Sequence, residues 1–171
     1  IDIANSYKPG HISFYSLILE ENTKLENRVS KGEVNLLDPV VEDELWLLGK
    51  QRLKELGYNQ YEVSNFYKDS PCKHNESYWE LKPYLGIGPG AVSTLQNENG
   101  EIVRIENKKN INLFLDSKAT STKVINNSDF LLEYIMMGLR LKRGINRPLF
   151  KKIFLNDITD VIKITKTLIK D

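Results

Sequence analysis

The chain has 171 residues, one cysteine, a formal net charge of +1 and no apolar run near the roughly 20 residues that span a bilayer. These values exclude an intramolecular disulfide framework and a global electrostatic pull towards nucleic acid or anionic lipid. With 40% hydrophobic and 27% charged residues, the composition is that of a soluble, cytoplasmic protein with one well-buried core, and Ile1–Gly10 has no signal-peptide pattern.

Residues 11–19 (HISFYSLIL) read as a strand that is apolar enough to be buried on both faces. A polar connection, Glu20–Leu37, follows, with a turn at Gly32. Asp38 as N-cap and Pro39 at the first helical position open a helix, with acidic Glu42–Glu44 near its start and Lys50, Arg52 and Lys54 near its end. Val41, Leu45, Leu48, Leu53 and Leu56 keep a helical period up to Gly57. Residues 58–66 read as the next strand, so the order is strand, helix, strand. Such a unit predicts a right-handed crossover and a parallel sheet, whose ligands gather at the carboxyl ends of the strands.

Beyond Ser93, Gln96–Gly100 reads as a turn and Glu101–Glu106 as the second strand of a hairpin. Helical patterns follow at Asn110–Leu115 and at 129–141, the latter with Leu131, Leu132, Ile135, Met136 and Leu139 on one face. Two more open at Asn146–Pro148 and at Asp157, the last with Ile158, Val161, Ile162 and Leu168 inside. The Ser-, Thr-, Asn- and Lys-rich stretch Ser117–Ser128 marks a boundary between residues 1–120 and 121–171. Both termini interrupt elements: the chain starts inside what looks like a connection and stops at Lys170-Asp171 within a helix. A piece of a longer protein is the expectation.

The chemistry concentrates in Tyr61–Ser93. Cys72 and His74 offer a thiolate and an imidazole, but structural zinc needs four ligands and the only other histidine, His11, is remote in sequence. A Cys–His dyad oriented by Asn75 needs mutual reach that residues in an extended loop do not readily give. A single neutral imidazole, His74, suffices as an axial ligand to haem iron, with Tyr78 and Trp79 against the porphyrin ring. The bland readings are a solvated His74 and core aromatics at 78 and 79. Gly86-Ile-Gly88-Pro-Gly90-Ala91 matches a phosphate-binding fingerprint on paper, but Pro89 and the following Val-Ser-Thr-Leu suggest strand or turn where a helix should begin. What survives is that three glycines let a backbone approach a ligand or a neighbouring strand. Arg140, Lys142, Arg143 and Arg147 read as a solvated cluster at a helix end.

Four motifs occur in order: HISFY from His11, GY…YEVSNF over 57–66, CKHNxxYW over 72–79 and YLGIGPGAxS over 84–93. Together they resemble the oxygen-independent coproporphyrinogen III oxidase-like radical SAM family, and the H-N-x-x-Y-W run is most similar to its haem chaperone branch. The resemblance implies an α/β fold: part of a partial (β/α) barrel with parallel strands, followed by a small mainly helical C-terminal domain. It implies haem as ligand, with S-adenosylmethionine and a [4Fe-4S] cluster in a full-length parent whose C-x-x-x-C-x-x-C motif does not occur in this chain. By the same resemblance His74 is the haem-holding histidine and the metal ligand. Asn75, Tyr78, Trp79, Gly88, Gly90 and Val92 are the other cofactor-binding positions, and no residue of this chain is assigned a catalytic role. Val92 stands where histidine is usual in that branch, and Ser16 where glutamine is common. The implied function is haem binding and transfer to acceptor proteins, with homodimerisation possible and no nucleic-acid partner. The alternative is the oxidase of porphyrin biosynthesis, and a third reading is motifs that merely pack the fold. With one cysteine, the chain is expected to be inactive alone as a radical SAM oxidoreductase.

Overall fold

The computed structural model describes residues 1–116 and 120–162, and the chain forms two compact units, Ile1–Cys72 and Lys73–Asp171. In the first unit a short helix, α1 (Asp2–Ser6), leads into the apolar run that starts at His11. That run stays paired for three residues only, as β1 (His11–Ser13), and from Tyr15 to Ile18 its side chains are exposed. The connection expected to be irregular contains a helix, α2 (Lys24–Ser30), whose Thr23 side chain accepts the Glu26 N–H at 3.2 Å. Gly32 makes the expected turn at φ +71°.

The helix α3 (Pro39–Glu55) starts and stops where its sequence signals it. The Asp38 carboxylate accepts the Val40 N–H at 2.9 Å. At the other end Gly57 takes φ +85°, which lets the Tyr58 N–H donate to the Leu53 carbonyl (2.9 Å) and the Gly57 N–H to that of Lys54 (3.0 Å). This closure brings Tyr58 onto Leu53, and with Phe66 they form the core of the unit, against Ile12, Phe14 and Leu56. Gly49 and Leu53 are the buried positions of α3, whereas Val41, Leu45 and Leu48 of the apolar stripe are exposed.

The predicted strand over 58–66 is instead two short strands, β2 (Asn59–Gln60) and β3 (Asn65–Tyr67), joined by a tight reversal. The Glu62 carboxylate accepts the Ser64 N–H at 2.8 Å and the Tyr61 N–H donates to Asn65, so the chain turns back on itself. β3 pairs antiparallel with both β1 and β2, giving the order β1-β3-β2. The expected part of a radical SAM (β/α) barrel with parallel strands is therefore not what forms. β1 and β2, linked through α3, do run in the same direction, but β3 lies between them and leaves no parallel pair.

The second unit opens with α4 (Lys73–Trp79), a helix where sequence reasoning expected an extended loop. An antiparallel sheet follows, in the order β4 (Val92–Gln96), β5 (Ile102–Asn107), β6 (Thr120–Val124), with α5 (Ile111–Leu115) before the last strand. The β4–β5 hairpin and α5 were expected, and β6 was not. Then come α6 (Asn127–Arg140) and α7 (Arg147–Phe154), capped by the Asn126 and Asn146 side chains. Residues 158–162 continue as helix after Asp157. The rest of that predicted helix with Leu168, the end at Lys170-Asp171, and Ser117–Ala119 of the predicted boundary stretch lie outside the described residues.

The core of this unit is aromatic: Tyr134, Phe150 and Ile158 are buried, with Phe154 4.8 Å from Phe150 between ring centres. Leu131, Tyr134, Ile135 and Gly138 form the packed side of α6, rotated from the predicted stripe, and Leu132, Met136 and Leu139 are exposed. A side chain at Gly138 would meet Ile145 at 2.6 Å. Among the described residues no helix is long and apolar enough to cross a membrane.

The Leu85–Gly90 loop is tied to the hairpin and the segment after it by its own main chain. Tyr84 bridges Thr94, Gly86 N–H donates to the Ser93 hydroxyl (3.0 Å), and Gly90 N–H donates to the Lys108 carbonyl (3.0 Å). A Cβ on Gly86 would lie 2.3 Å from the Val92 carbonyl oxygen, a main-chain atom that cannot swing away. Gly86→Ala is therefore expected to cost about 1–3 kcal/mol, measured as a lowered urea midpoint at unchanged slope.

Candidate functional site: an aromatic cleft beside His74

A seven-residue helix is too short to be stable by itself in water, so α4 needs its tertiary contacts. Its C-terminus closes with Leu81 in the left-handed region (φ +51°), where the Leu81 N–H meets the Tyr78 carbonyl and the Lys82 N–H that of Ser77, each at 3.0 Å. A leucine in that conformation costs roughly 1–2 kcal/mol. Its side chain packs into the Tyr134–Phe150 cluster, and burying a leucine contributes about 1.5–3 kcal/mol when complete. Packing thus offsets the strain.

On the polar side, Arg143 pairs with Glu76 at 2.5 Å and with Glu80, one helical turn further on. The Arg140 guanidinium lies 5.1 Å from the centre of the Trp79 ring. Arg147 pairs with Asp157, whose carboxyl is held well below the usual range by the Thr159 hydroxyl and N–H and by that arginine. The basic cluster expected to be merely solvated is thus largely engaged: Arg143 fastens α4, and Arg140 covers Trp79.

Helical spacing sets the aromatic geometry. His74 and Tyr78, four residues apart, share a face, and their rings meet edge to face at 5.0 Å. Tyr78 in turn meets Tyr84 at 4.8 Å. His74 and Tyr78 are exposed, and Asn75 and Trp79 are half-buried. The packing-only reading needed all three rings buried with no open cleft, and that is not the arrangement observed.

A cleft of about 440 Å³ opens beside this ladder, within the usual range for small-molecule sites. α4 contributes Tyr78 and Trp79, and the segment after it Leu81, Lys82 and Tyr84. The sheet contributes Val92, Thr94 and Arg104. Glu133, Met136 and Met137 complete it from α6, three positions on one helical face. The lining is mostly apolar. At one side Arg104 grips Glu133 through two hydrogen bonds of 2.8 and 2.9 Å. Two buried polar atoms of the lining, Trp79 Nε1 and Thr94 Oγ1, have no hydrogen-bond partner.

Of the predicted positions, Tyr78, Trp79 and Val92 come together in the cleft, and His74 adjoins it through Tyr78. Gly88 and Gly90 do not line it. They serve the loop, at φ +106° and +70°, with the Gly88 carbonyl accepting the Asn107 amide at 2.9 Å. Tyr84, Thr94, Arg104, Glu133 and the two methionines were not singled out in the sequence. The available signal was a carboxylate three and four residues before the adjacent Met136 and Met137. His11, in the first unit, lies 2.9 Å from the Tyr61 hydroxyl. Among the described residues no three His, Cys, Asp or Glu side chains converge as a metal site. The lone Cys72 cannot supply the three thiolates of an iron–sulfur cluster.

Comparison with known proteins gives this architecture relatives. The heme chaperone HemW of Buchnera aphidicola (subsp. Acyrthosiphon pisum) is 35% identical over 161 residues, covering 90% of this chain and 39% of that protein. The Synechocystis heme chaperone HemW is 30% identical over 154 residues, covering 85% of this chain and 36% of its own length. The bovine (Bos taurus) mitochondrial radical S-adenosyl methionine domain-containing protein 1 is 35% identical over 147 residues, 79% of this chain and 33% of that protein. The chain thus has a family relationship to radical SAM proteins of the HemW type, extending over most of its length. It spans about two fifths of the length of the first of these relatives. No family model and no solved structure matches it.

The Arg104 guanidinium lowers the Glu133 pKa from its ordinary 4.5, chiefly by hydrogen bonding. A lowered folded-state value means that the pair stabilises fully above that ordinary value, and the contribution is lost as pH falls through the lowered one. Urea midpoints followed into acid should fall more steeply for the parent chain than for Glu133→Gln. Identical acid limbs would contradict the ion pair.

Proposed function

We propose that this chain is the part of a haem chaperone-like protein that binds haem through His74 and passes it to acceptor proteins. One observation carries the reading: an exposed imidazole on a short anchored helix, edge-on to Tyr78 and next to an apolar aromatic cleft. An imidazole with solvent access can offer a ring nitrogen to iron. The similarity to proteins named heme chaperone HemW supports the same reading.

The residues fit the ligand in kind. His74 supplies the nitrogen, Tyr78 stands against it at an angle of 85°, and the Tyr84 ring continues the apolar surface. Bound haem would bring iron for axial ligation, and the chain's part is to hold the ring and present it. Exposure suits transfer, because an acceptor must reach a ligand that a closed pocket would keep. S-adenosylmethionine and a [4Fe-4S] cluster, if the parent uses them, depend on thiolates this chain does not supply. Its single cysteine accords with a reducing, cytoplasmic setting.

Hemin titrated into the protein should shift the Soret band with saturation near one equivalent, and His74→Ala should remove most of that shift. An unchanged spectrum in the parent chain, or an equal shift in the variant, would overturn the ligation.

A further inference from the structure

We infer that the cleft between α4, the β4–β5 hairpin and α6 is a binding site for a planar, carboxylate-bearing ring, and that Arg104 exchanges Glu133 for the ligand's carboxylate. In porphyrin terms this rests on the haem reading, but the site itself is separate from iron ligation by His74. Three independent features carry it.

The cleft's walls include rings and sulfur-bearing chains: Tyr78, Trp79 and Tyr84 together with Met136 and Met137. Such surfaces favour a flat unsaturated body, since thioethers adapt to ring faces and edges. Its charged lining groups are Lys82, Arg104 and Glu133; Lys82 is paired with Glu80 at 2.6 Å, so Arg104 is the cation whose carboxylate partner also lines the cleft. Arg104 already holds a carboxylate in its two-pronged grip, which shows that the guanidinium is oriented for that shape. Glu133 is thus a built-in competitor. It keeps Arg104 satisfied while the cleft is empty and must release when a ligand carboxylate enters.

The third feature is the pair of unpartnered buried atoms. Native proteins satisfy most of their buried polar groups, and exceptions concentrate at functional positions. Here both exceptions found among the described residues, Trp79 Nε1 and Thr94 Oγ1, belong to residues lining this one cleft.

The test uses the full chain with Trp46→Phe, which leaves Trp79 as the sole tryptophan. The probe is metal-free protoporphyrin IX, a planar dicarboxylate, with its dimethyl ester as control. The acid should quench Trp79 emission with saturation, and the ester should bind at least about tenfold more weakly, as expected for loss of a charge-assisted contact. Arg104→Gln should weaken binding of the acid by a similar factor. Glu133→Gln, which removes the competitor, should tighten it, an effect that damage to the fold would not produce. Absence of quenching, equal binding of acid and ester, or weaker binding by Glu133→Gln would overturn the proposal. A hemin titration that fails while protoporphyrin binds would reject iron ligation by His74 and retain the cleft; the reverse result would reject the cleft alone.

Discussion

The anchoring of one seven-residue helix decides what this protein can offer a ligand. α4 carries His74, Tyr78 and Trp79, yet its length gives it little stability of its own. Two sets of contacts hold it. The ion pairs of Arg143 with Glu76 and Glu80 are partly exposed, and pairs of that kind contribute about 0–1 kcal/mol each. Insertion of Leu81 into the aromatic cluster contributes more. Burial therefore sets where α4 sits, and the charges fix its rotation, so that the His74–Tyr78 face looks outwards.

The same division of labour runs through the second unit. α6 turns Leu131, Tyr134 and Ile135 to the core and leaves Glu133, Met136, Met137 and Arg140 for the cleft side. One helix thus serves as core wall and as site wall, with Glu133 clamped to Arg104 across to the sheet.

Much of the local structure was legible from residues because it rests on local chemistry. Asp38-Pro39 and Gly57 bound α3, and Asn110, Asn146 and Asp157 open helical segments, since caps and stops act within a few residues. The sheets were less legible. An apolar run at 11–19 predicts extension but not pairing, and the Glu62-to-Ser64 contact that reverses the chain rests on one carboxylate. That single turn replaced an expected parallel unit with an antiparallel one. At the candidate site, the H-N-x-x-Y-W run drew attention to residues 74–79, but its helical state was not expected. Arg104 and Glu133 could not be paired in advance, because 29 residues separate them and only the folded hairpin brings them together.

The tethered glycine loop has a further implication for variation. Positions 85, 87 and 89 are exposed, Ile87 being 87% exposed, while 86 and 90 are held close to neighbouring residues and 88 and 90 take left-handed backbone angles. Tolerance to replacement should thus alternate along the segment like the teeth of a comb. Such spacing would let natural drift repaint the outer rim of the loop without ever reshaping its course.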